Sequence, residues 1–221
     1  MASSRPPRVH RLPRDLRERI EPDTTALVVW DAQVGLAGRA TNLEVIRPNI
    51  QALVDAADAA GALVVWSRHV LPPLELMPTA GVDWLVRRQG VATIGELVPY
   101  MQRGMPTTEF LPGLEPGPEH LVLEKSVPSF FIGTPLDLRL RAAGIRTVVL
   151  SGVATEIGIE FTARHALALG YFVVTVEDAV GSYTDEANRT GLEHLRPIGP
   201  TPTTREVVAA WRYEGAAEAG A

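Results

Sequence analysis

The chain has 221 residues, 46% hydrophobic and 21% charged, enough for one α/β domain with a sizeable core and a tight fit for two. A formal charge of -5 offers no basic face for nucleic acid, and the apolar content is that of a folded chain rather than a disordered one. Cysteine is absent, which removes disulfides, thiolate metal sites and any thiol nucleophile.

The opening stretch MASSRPPRVHRLPRD has basic residues with no apolar run behind them, unlike a secretory leader. The longest apolar runs are strand-length, too short for a bilayer, so no membrane partner is expected and a cytoplasmic location is. We read 1–23 as an N-terminal arm, 24–212 as the domain and 213–221 as a disordered tail.

Within the domain, Thr25–Trp30 (TALVVW) is a continuous apolar run ending at Asp31, as in a strand buried on both faces. Leu43–Ala60 carries apolar residues at helical spacing and stops at Gly61. Leu63–Ser67 is the next strand. Val70–Pro118, rich in proline and glycine, reads as a long, partly ordered excursion; its segments Asp83–Arg88 and Met101–Pro106 are the expected lid and part of an oligomer interface. His120–Glu124 is a third strand ending at Lys125. A helix over Leu136–Ala143, a strand over Thr147–Ser151, a helix over Ile157–Leu169 and a strand over Phe172–Val176 follow. A helix over Ala187–Leu195 comes next, and a last short apolar stretch and Glu206–Trp211 close the domain. This alternation predicts a parallel sheet with helices on both faces.

Parallel sheets bind ligands at the carboxyl ends of their strands. Asp31, Lys125 and the segment SGVATEIG stand there. Each alone has a plain structural reading, as a cap, a rim charge or a tight turn. Ser129, Ser151 and Thr155 carry hydroxyls nearby but read as local hydrogen-bond partners, and His165 as a capping or packing residue. His69, in WSRH, is either a substrate contact or a rim histidine. Trp66, Trp84, Phe130 and Phe131 are candidate pocket walls or core. Glu156 is a substrate-binding candidate or simply a favourable charge at a helix start. No Walker or dinucleotide glycine motif occurs, so no nucleotide cofactor is expected.

The segment GVATEIGIEFTARHALALGYFVVTVEDAVGS resembles the signature of the isochorismatase-like (cysteine hydrolase) superfamily, GVATNxCVxxTARDAxxxGYxVxVxxDA. VVWDAQ is similar to the family's strand-end DxQ, with Asp31 and Gln33. EKSVPSFFIGTPL is similar to its K-x-x-x-S-A-F-x-x-T-x-L, with Lys125, Ser129, Phe130 and Thr134. The resemblance spans roughly residues 24–211. It implies a three-layer α/β/α sandwich with a six-stranded, mostly parallel sheet, assembled as a homo-dimer or higher homo-oligomer. It also implies an Asp–Lys–Cys triad, of which Asp31 and Lys125 match while the cysteine position is Gly158. The implied oxyanion donors are the N–H groups of Ala154 and Gly158, behind a cis Val153–Ala154 peptide.

True isochorismatases also carry glycine there and cleave a vinyl ether, with the aspartate as general acid and water completing the hydrolysis. The arm RLPRDLRERIEP is similar to the arm that precedes the first strand in those enzymes. Two departures point the other way. Those enzymes read GVYAHIG where this chain reads GVATEIG, and glutamine where it has His69; the VAT triplet is closer to the amidase branch. The metal of nicotinamidases needs an Asp-x-His pair that the chain lacks, so no metal is expected. The leading expectation is thus a cofactor-free hydrolase of a small carboxylate-bearing substrate. The alternatives are an amidase-branch relative without its thiol, inactive or small-molecule binding, and a structural oligomeric protein.

Overall fold

The computed structural model describes residues 12–212; the first eleven residues of the arm and the tail 213–221, expected to be disordered, lie outside it. Five strands form one parallel sheet in the order β3-β2-β1-β4-β5. They are β1 (Thr25–Trp30), β2 (Leu63–His69), β3 (Leu121–Lys125), β4 (Thr147–Val153) and β5 (Phe172–Gly181). β1 and β4 are buried along their whole length, as their unbroken apolar runs require of central strands covered on both faces. Alternate residues of β1 therefore feed two cores. Leu27 and Val29 face the helices α2 (Leu43–Ala60) and α7 (Thr204–Trp211). Ala26, Val28 and Trp30 face α4 (Leu136–Ala142), α5 (Glu160–Ala168) and α6 (Asp185–Leu195).

The expected sixth strand is corrected to five among the described residues. Its place beside β5 is taken by 200–202, where the carbonyls of Pro200 and Pro202 accept from Thr175 N–H and Glu177 N–H at 3.1 and 3.0 Å. Prolines have no N–H to return, so the bonds run one way and no ladder forms. A short helix α1 (Leu16–Arg19) leads into β1, with the Ile20 carbonyl accepting from Trp211 Nε1 at 2.8 Å.

The excursion between β2 and β3 is more ordered than expected. It contains a helix, α3 (Thr79–Gln89), and it is stitched to the loop after β1. Val34, Gly35 and Leu111 N–H donate to the carbonyls of Glu109, Thr107 and Ala32, each at 2.9 Å. Gln33 completes the seam, accepting from His69 N–H at 2.7 Å and donating to the carbonyls of His69 and Thr108. No helix among the described residues is long and apolar enough to cross a membrane.

Candidate active site

Three adjacent strand ends meet in one place. β1 delivers Asp31, β2 delivers Ser67 and His69, and β3 delivers Lys125. Asp31 is 2% exposed and Lys125 4%. The Lys125 ammonium donates to Asp31 Oδ2 at 2.8 Å, and Ser67 Oγ donates to Oδ1 at 2.5 Å. Asp31 also adopts a left-handed backbone, φ 48°, which a non-glycine residue takes only when its surroundings hold it. Ser67 does so from the other side, its Oγ accepting from Asp31 N–H at 2.9 Å.

Burial governs the protonation of this pair. It pushes the Asp31 carboxyl above the usual aspartate range, and the Lys125 charge and hydrogen bond pull it only part of the way back. Burial likewise lowers Lys125, with Asp31 opposing. His69 lies behind them, its Nδ1 3.3 Å from Lys125 Nζ; an ammonium only donates, so this nitrogen accepts. Burial, then the charges of Lys125 and Arg88, hold His69 well below the ordinary histidine range, so its ring is neutral.

Next to β4 the Val153–Ala154 peptide is cis, as the family resemblance implies. Ala154 opens a π-helical turn, Thr155–Ile159, that leads into α5. Thr155 Oγ1 bonds the Gly181 carbonyl at 3.0 Å and Asn188 Oδ1 at 2.6 Å, and Ser182 Oγ donates to Glu156 at 2.6 Å. These contacts fix the turn, and with it the amides of Ala154 and Gly158 at a helix start that favours negative charge.

A cavity of about 750 Å³ opens over the pair, lined by Asp31, His69, Lys125, Ala154 and Gly158. Its outer wall comes from α3, with Trp84, Arg87 and Arg88, and from Tyr100, Phe161 and Tyr183. The Arg88 guanidinium lies 5.2 Å from the Tyr183 ring centre and Arg39 5.6 Å. No ion pair holds either arginine among the described residues, whereas Arg87 pairs with Asp83 at 2.9 Å. Burial keeps Tyr100 and Tyr183 protonated above the ordinary tyrosine range.

The sequence-derived candidates divide accordingly. Asp31, Lys125, Gly158, Ala154 and His69 converge on the cavity; of the two segments expected as a lid, Asp83–Arg88 lines it through Trp84, Arg87 and Arg88, and Met101–Pro106 does not. Phe130 and Phe131 are corrected to core residues. Phe130 is fully buried among Leu136, Leu140 and Ile159, and Phe131 packs on His165 and Tyr171. Glu156 is also corrected: its carboxylate is turned to Ser182 and does not line the cavity. Ser129 and His165 hydrogen-bond each other at 2.8 Å away from it, and Trp66 is core. Ser67, Tyr100 and Tyr183 escaped the sequence reading. Only Ser67 left a trace there, as the polar residue in the apolar run LVVWS.

Gly158 holds a further surprise. A Cβ built on it would lie inside the Trp30 indole, 2.6 Å from Cζ2 and closer still to Cζ3 and Cη2. Trp30 is itself pinned, its Nε1 donating to Thr162 Oγ1 at 2.9 Å and its ring centre 3.5 Å from Lys125 Nζ. Such a desolvated cation–π contact is worth about 2 kcal/mol.

Comparison with known proteins agrees with this architecture. The Isochorismatase domain model matches residues 25–207. An uncharacterized isochorismatase family protein of Bacillus subtilis, YwoC, is 44% identical over 101 residues, 44% of this chain; the match spans about half, 52%, of that relative's length. A cysteine hydrolase structure from Pseudomonas syringae superposes with TM-score 0.75 at 25% identity, covering 91% of this chain and 95% of that one. N-carbamoylsarcosine amidase from Thermoplasma acidophilum gives TM-score 0.66 at 26% identity, covering 87% and 99%. With a buried Asp–Lys pair at the strand ends of the expected sandwich, the chain belongs to the isochorismatase family of hydrolases.

Proposed function

We propose that this protein hydrolyses a small carboxylate-bearing molecule without a covalent enzyme intermediate, Asp31 moving the proton. The observation that carries the reading is the buried Asp31–Lys125 pair facing an open cavity beside a glycine, in a chain with no cysteine. Burial raises the Asp31 carboxyl, the direction that favours the protonated form a general acid uses. For a vinyl ether, Asp31 gives its proton to the enol carbon, water adds to the resulting oxocarbenium carbon, and the hemiketal collapses to a ketone and an alcohol. The amides of Ala154 and Gly158 serve the leaving oxygen as it gains negative charge in the collapse of the hemiketal. Lys125 and the unpaired Arg88 supply cations for the carboxylates, and protonated Tyr100 and Tyr183 supply donors.

The test is coupled detection of pyruvate from isochorismate. Turnover by the native protein and its loss, by about 10²-fold or more, in Asp31→Ala are expected. No release, or equal release from both proteins, overturns the reading.

The resemblance to N-carbamoylsarcosine amidase and the VAT triplet favour one second reading, an amidase-branch relative that binds its ligand without turnover. Tight binding of an amide with no release of ammonia supports it. The open cavity speaks against a purely structural role, which would fill that space with the protein's own side chains.

A further inference from the structure

We propose that Trp30 stands in for the side chain missing at position 158: its indole fills that space and supports the Lys125 ammonium, so Trp30 and Gly158 are one coupled unit. Three observations carry this. Any β-carbon at 158 overlaps the six-membered part of the ring. The ring cannot swing away cheaply, because it is 3% exposed and tied to Thr162, which also accepts from Phe130 N–H at 3.2 Å. Its ring centre lies 3.5 Å from the Lys125 ammonium, which also contacts Asp31 and His69.

Glycine at 158 is therefore required by Trp30, rather than being a lone loss from a thiol site. Restoring a cysteine to this chain needs two changes, not one. Trp30 is a positioning residue: it acts through Lys125, and through Lys125 on Asp31.

The inference does not depend on which substrate the pocket takes, so it is tested without one. The full chain has no cysteine, and a thiol placed at 158 is therefore its only one. Gly158→Ala and Gly158→Cys are expected to lower the melting temperature by roughly 5–10 °C, or to prevent folding. Trp30→Val combined with Gly158→Cys is expected to melt well above the sum of the two single effects, and its thiol to react with iodoacetamide in the native state. A Gly158→Cys single variant that melts within about 2 °C of the native chain overturns the inference. So does a double variant that is additive or fails to fold. Positioning is read separately, from the melting temperature between pH 7 and 10. Trp30→Val should make it rise more steeply with pH, because Lys125, facing Asp31 and His69 and near Arg88, loses support for its charged form. Trp30→Phe, which keeps a ring face, should restore the native profile; identical profiles for Val and Phe refute the positioning role.

Discussion

Lys125 and Asp31 each favour the charged form of the other. Burial disfavours both ions, raising the Asp31 pKa and lowering that of Lys125, so removing one partner strands the other in a dry site. Asp31→Asn keeps the shape and leaves Lys125 alone. The expected cost at neutral pH is about 3–5 kcal/mol, or roughly 10 °C in melting temperature for a chain of this size. The sign of its pH dependence follows from linkage. With its folded pKa depressed further below 10.5, Lys125 binds fewer protons in the native state than in the unfolded chain, so stability rises with pH across that window and is lost as pH falls through the folded value. In the native chain Asp31 contributes the opposite slope at the acid end. Its folded pKa lies above 3.8, so stability is greatest at low pH and falls as pH rises through the raised value. Melting curves of the two proteins from pH 4 to 10 check both slopes; an unchanged alkaline slope in Asp31→Asn would mean that Lys125 is solvated there.

Among the elements, the π-helical turn is the one whose exact placement matters to the site, and α6 places it. Gly191 of α6 lies so close to the turn that an added Cβ would meet Glu156 N at 2.8 Å and Thr155 Cγ2 at 2.9 Å. In an exposed helix, glycine to alanine gains about 1 kcal/mol. Here the sign should reverse: Gly191→Ala is expected to lose about 1–3 kcal/mol by forcing α6 off the turn, seen as a lower melting temperature with unchanged helix content. A gain in stability would show that the turn is free to shift. Nothing in the sequence announces this contact, and the same limit explains what else was and was not legible. β1 and β4 could be read because strands buried on both faces are continuous apolar runs, and Asp31 because it follows one; Lys125 ends the half-buried β3, and Gly158 stood out only by resemblance to the family's cysteine position. The helix α3 was hidden by the prolines and glycines around TAGVDWLVRRQ, and the sixth strand came from the family resemblance alone, with no segment assigned to it; the segment that runs beside β5 has prolines that cannot donate. Phe130 and Phe131 were misjudged because a motif fixes their neighbours in the chain but not which side of the sheet they enter. Trp30 read as the end of an apolar run; its meeting with Gly158, 128 positions later, exists only in three dimensions.

At the scale of the molecule, the charge of the chain and that of its pocket have opposite signs. The whole carries -5, yet the cavity is lined by Lys125, Arg87 and Arg88, with Asp31 the one carboxylate among its lining residues. A low-dielectric cleft focuses such a local field, so an anionic ligand is drawn inward although the surface as a whole repels it. Arg87 and Arg88 are both exposed, but Arg87 pairs with Asp83 while Arg88 has no carboxylate partner among the described residues, so its pull on a ligand is the one that salt should screen. For a carboxylate substrate, KM should therefore rise by roughly three- to tenfold between about 20 and 500 mM salt while kcat stays level. Arg88→Gln should raise KM at low salt and flatten that dependence, because the screened charge is then already gone. A neutral amide should bind alike at every ionic strength, in both proteins. Steady-state rates or calorimetric titrations over that range separate a carboxylate-bearing ligand from a neutral one. A carboxylate ligand that proves indifferent to salt would place its charge on Lys125 alone, deep enough to escape screening, and would leave Arg88 to the lid.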